Sequence, residues 1–99
     1  MVSRIQVPTD QIVRFCKRHR IRRLALFGSV LREDFSPESD VDVLVEFDPG
    51  ASPGWEFFAM QDELSAVLGR RVDLNTPGFL SRYFRDQVLA EAETVYERA

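Results

Sequence analysis

A glycine-serine pair, Gly28-Ser29, followed after a gap of ten residues by the aspartates Asp40 and Asp42, places the strongest limit on how this chain can fold. The apolar run Leu24-Ala25-Leu26-Phe27 ahead of the pair reads as a buried strand, and residues 30–33 after it can turn as a helix. Backbone N–H groups then collect at a helix start. Glycine leaves the main chain open to an anion and the Ser29 hydroxyl adds a donor, so a triphosphate could sit there without a long glycine-rich loop. Arg32, three residues on, reads either as a phosphate contact or as an exposed cation at a helix end. Past the gap the pattern alternates. Val41, Val43, Val45 and Phe47 fall on one strand face, with Asp40, Asp42, Leu44 and Glu46 on the other. Carboxylates at i and i+2 have Cβ atoms roughly 6–7 Å apart and repel one another. A hard divalent cation with oxygen ligands, magnesium carried on nucleotide phosphates, is the economical way to satisfy both.

The flanking segments read as support. Pro8-Thr9 signals a helix start with Thr9 as cap, and the helix should run to about His19, burying Ile12, Phe15 and Cys16. Six of the ten residues from 14 to 23 are Arg or Lys, which predicts either a solvated helix face or a docking surface for an acidic partner or RNA. His19 has no metal-ligating neighbour at a suitable spacing and is expected at the surface. Residues 48–54, with two Pro and two Gly in seven, form a loop. Residues 55–68 carry apolar positions at helical period, and Gly69 stands just beyond as a C-cap. Residues 70–75 read as a short strand with Val72 and Leu74 on one side and Asp73 on the other. Its alternation matches that of the Asp42 strand, so adjacent pairing would bring Asp73 to the same acids; alone it is an ordinary solvent-facing residue. Ser81 reads as the cap of a last packing helix through Phe84, Val88, Ala92 and Val95.

This order of helices and strands predicts an α/β domain, with a small sheet whose helices lie largely on one face and whose open face carries the acids. The 99 residues allow a single domain, 1–99, with one modest core. Its large exposed fraction leaves a homo-oligomer or a complex open. One cysteine and no long apolar run point to a cytoplasmic protein without a membrane span. A net charge of −3, with aromatic residues not interleaved in the basic run, argues against direct nucleic-acid binding.

The pairing of Gly28-Ser29 with Asp40-Val41-Asp42 resembles the signature of the nucleotidyltransferase superfamily that includes DNA polymerase beta. At this length the chain is similar to the minimal nucleotidyltransferases, many of which are antitoxins paired with HEPN-domain ribonucleases; the resemblance covers roughly residues 9–97. It implies a palm-like fold and a third aspartate on a neighbouring strand, at the position of Asp73. It further implies transfer of a nucleoside monophosphate, AMP from ATP, to a hydroxyl, with two magnesium ions held by Asp40, Asp42 and Asp73. Gly28, Ser29 and Arg32 would hold the triphosphate, and Asp73 would help take the proton. The implied acceptor is a tyrosine of a partner HEPN toxin. A different class of function, a binding module that masks its partner without chemistry, accounts for the same small domain if the acids are structural.

Overall fold

The computed structural model describes residues 7–31, 39–51, 53–83 and 85–98. Helix α1, Thr9–Arg18, has Asp10 in its first turn and Lys17 and Arg18 in its last, which suits the helix dipole at both ends. Thr9 is the first helical residue rather than the cap: Pro8 holds the cap position in extended backbone without a side-chain bond. The chain reverses through Arg20, whose φ of 59° is a left-handed conformation unusual outside glycine. It enters strand β1, Ile21–Phe27, then a 3-10 turn, Gly28–Leu31, and strand β2, Val41–Phe47. Helix α2, Glu56–Leu68, ends at Gly69 in the left-handed region, as its C-cap reading required. Strand β3, Val72–Asn75, a 3-10 turn at Pro77–Phe79, helix α3, Arg85–Glu91, and strand β4, Glu93–Glu97, complete the described chain.

The sheet is mixed, in the order β3-β2-β1-β4. β1 pairs antiparallel with both β2 and β4, and β2 pairs parallel with β3 across the α2 connection. On one face Leu24, Leu26, Val41, Val43, Val45, Val72 and Leu74 form a continuous core with Ile12, Phe15 and Cys16 of α1 and Phe57, Met60 and Leu64 of α2. The predicted inward residues of α1 are therefore buried, as are Phe57, Met60 and Leu64 of α2, while Val67 and Leu68 at the end of the α2 apolar period are only partly so. Burial also removes Cys16 from thiol chemistry, since desolvation pushes its pKa up to about 12. α2 does more than cover the sheet. Its Gln61 Oε1 accepts the Leu74 N–H at 2.9 Å and its Ser65 Oγ accepts the Val72 N–H at 3.1 Å, so side chains satisfy the amides on the free edge of β3.

Two expectations change. The second sheet face is only partly open, because Ala25 and Leu44, register partners in the middle of β1 and β2, are buried, as is Leu80 after the 3-10 turn that lies against β2. The terminal segment also divides. The spacing of Phe84, Val88, Ala92 and Val95 fits a helix, but Phe84 lies outside the described residues, α3 stops at Glu91, and Val95 belongs to β4. β4 gains a ladder on β1 that a longer helix would forgo, and the Arg98 N–H donates to the Arg22 carbonyl at 2.8 Å where the strands part. Among the described residues no helix is long and apolar enough to cross a membrane.

Candidate active site

The site is built where β1 ends and β2 begins. Antiparallel register pairs Phe27 with Asp42, so the next residue, Gly28, lies against the Asp42 side chain. A Cβ at Gly28 would stand 2.3 Å from Asp42 Oδ2, inside any allowed contact, and the residue's φ is +76°. Only glycine fits. The sequence suggested that this glycine clears room for a phosphate; the structure shows a carboxylate oxygen in that room. Ser29 lies in the 3-10 turn after Gly28, which is the predicted helix-like turn in its tightest form. The Ser29 hydroxyl and the whole of Arg32 lie outside the described residues.

The parallel register of β2 and β3 pairs Asp42 directly with Asp73. Neighbouring strands lie roughly 4.8 Å apart, and residues in register point to the same face, so these acids stand side by side. Asp42 is half-buried and Asp73 exposed. Asp40 precedes β2 at an exposed position, and its carboxylate accepts a hydrogen bond from the Arg71 guanidinium. Among the described residues no three His, Cys, Asp or Glu side chains are grouped closely enough to form a ready metal cage. Gly28, Asp42 and Asp73 thus come together, while Asp40 is adjacent in the chain but engaged with Arg71.

Arg71 escaped the sequence reading. The signal was present: Arg71 stands two residues before Asp73, as Asp40 stands two before Asp42, and parallel pairing of the aspartates puts the first two side by side.

Part of the basic run is held in ion pairs, while Arg14, Lys17 and Arg20 are exposed. Arg18 and His19 pair with Glu63 of α2, and Arg22 and Arg23 pair with Glu46 of β2. His19, expected at the surface, keeps only 15% of its side chain exposed and packs its ring 4.8 Å from that of Phe15. A cleft of about 210 Å³ lined by His19, Arg20, Phe47, Gly50, Ala51, Pro53 and Glu56 lies at the far end of β2 and shares no residue with the acids.

A family model described as the nucleotidyltransferase domain matches residues 9–95. A candidate protein adenylyltransferase of Methanocaldococcus jannaschii is 34% identical over 85 residues, covering 86% of this chain and 90% of that one. The protein adenylyltransferase MntA of Thermococcus cleftensis is 36% identical over 75 residues, covering 76% of this chain and 75% of its own. Among solved structures, a candidate minimal nucleotidyltransferase superposes with a TM-score of 0.70 at 34% identity, over 85% of each chain. A complex of the tri-AMPylated Shewanella oneidensis HEPN toxin with its MNT antitoxin matches with a TM-score of 0.58 at 20% identity, over 91% of this chain and 70% of that one, a likeness of fold.

Proposed function

The chain belongs to the nucleotidyltransferase family, and from that premise we propose that it is a protein adenylyltransferase that inactivates a HEPN-type toxin, acting as its antitoxin in the cytoplasm. In this reading residues 1–99 form one minimal domain. The observation that carries it is the register pair Asp42 and Asp73 beside Gly28. Two neighbouring strands deliver carboxylates to one end of the sheet, and a residue without a side chain makes room for one of them.

The donor set is all oxygen, which suits a hard cation. Asp40, Asp42 and Asp73 are the residues that would hold magnesium, which when bound positions the triphosphate and offsets charge developing on it. The chain's own groups have distinct tasks. The 3-10 turn offers the backbone at Gly28 and Ser29 to the phosphate tail, with Arg32 as a further phosphate contact. Asp73, exposed on the outer strand, would accept the proton as a tyrosine oxygen of the partner attacks the α-phosphorus of ATP. The new bond is O–P, the bond broken is that between the α-phosphorus and its bridging oxygen, and pyrophosphate leaves. Adenylyltransferase relatives and the AMPylated HEPN toxin bound to a protein of the same fold support a HEPN toxin as the acceptor.

The test uses intact mass of the HEPN partner after incubation with ATP and magnesium. Wild-type protein is expected to add one or more AMP units to it. Asp40→Asn with Asp42→Asn should keep the fold and abolish the mass change. If that variant protects against the toxin as fully as wild type and neither alters the mass, the protein masks its partner and transfers nothing.

A further inference from the structure

The register that sets Asp73 beside Asp42 also sets Arg71 beside Asp40. The ladder reaches this point through the backbone, where the Val41 N–H donates to the Arg71 carbonyl at 2.9 Å, and the Arg71 guanidinium then donates to the Asp40 carboxylate. We propose that Arg71 is the resident counter-ion of the site, a positioning residue that holds Asp40 until nucleotide arrives and so makes cation uptake depend on nucleotide. The proposal rests on the reading of the three acids as metal ligands.

Two observations meet here. Asp40 is paired with Arg71, and the acids are not gathered into a three-ligand cage among the described residues. Both follow if Arg71 draws Asp40 toward itself and away from Asp42 and Asp73. A bare divalent cation must then take Asp40 from the guanidinium and leave that positive charge beside its own. A cation carried on a triphosphate brings an excess of negative charge, to which the released Arg71 can turn. Guanidinium suits that second partner, because its fork of N–H donors matches paired phosphate oxygens. The same side chain therefore opposes one ligand and assists the other. Water screens both effects, since the Arg71 and Asp40 side chains are 76% and 45% exposed. The expected change is about three- to fivefold in each binding constant.

Opposite signs make the test. Manganese alone is titrated and followed by electron paramagnetic resonance, and AMP-PNP with magnesium is titrated by calorimetry, both without an acceptor protein. Arg71→Met should bind manganese more tightly than wild type and the magnesium–nucleotide complex more weakly, with an unchanged circular dichroism spectrum. Arg71→Lys should return both constants toward wild type. Shifts of the same sign, or no shift in either constant, would overturn the proposal, as would a wild type that takes up neither ligand. An ordinary surface ion pair would change stability alone. Because no acceptor is present, a protein that shows this linkage yet modifies no partner would sink the transfer reading and leave the role of Arg71 standing.

Discussion

Gly28 carries two constraints at one position, a left-handed backbone and a missing side chain whose place is taken by an Asp42 oxygen. The turn was legible from the sequence, because glycine after an apolar run marks a chain reversal. The steric reason was not, since it depends on the antiparallel register of Phe27 with Asp42, fourteen or more residues distant in the chain. His19 teaches the same lesson, because the Glu63 that holds it lies on another helix. Gly28→Ala should therefore lose about 1–3 kcal/mol of stability in urea unfolding, through backbone strain and overlap together. Adding Asp42→Ala removes the overlap and leaves the strain. The double variant should recover part of the loss relative to Gly28→Ala, and two losses that simply add would show that the contact does not matter.

Among the elements, those with a strong local pattern were readable and those defined by pairing were not. α1 and α2 declare their buried faces through Ile12, Phe15, Cys16, Phe57, Met60 and Leu64, and β2 declares its acids by alternation. β4 has no such signature: Glu93–Glu97 becomes a strand because β1 offers it an edge. Strand order and direction were likewise unreadable, as both are properties of chain crossings. The link between α2 and β3 lies beyond any local pattern, yet it steadies the strand that bears Asp73. Gln61→Leu leaves the Leu74 amide without its acceptor and should cost about 1–3 kcal/mol. Amide exchange at Leu74, followed by NMR, should accelerate in Gln61→Leu, and exchange at Val72 in Ser65→Ala. Unchanged protection at both would mean that the edge is held by something other than these side chains.

For the molecule as a whole, the sheet brings two carboxylates together at one end, while Arg18, Arg22 and Arg23 toward its other end pair with Glu63 and Glu46. Asp42 and Asp73, directly paired on parallel strands, form an arrangement that works against folding. A like-charged cross-strand pair costs about 0.2–1 kcal/mol, and the exposure of Asp73 places this one toward the lower end. Asp73→Asn should then raise the melting temperature slightly in metal-free buffer of low ionic strength, and the gain should fade as salt screens the repulsion. Ligand should reverse the order. With magnesium and AMP-PNP at a hundred times the dissociation constant, wild type gains about 2.7 kcal/mol by mass action. Asp73→Asn, with one ligand oxygen anion removed, should gain much less and melt below wild type. Thermal melts of both proteins in the two buffers check this crossing. If the variant is the less stable in both, Asp73 serves the fold and not the site; if it gains as much from ligand as wild type, Asp73 takes no part in holding the nucleotide and its cation.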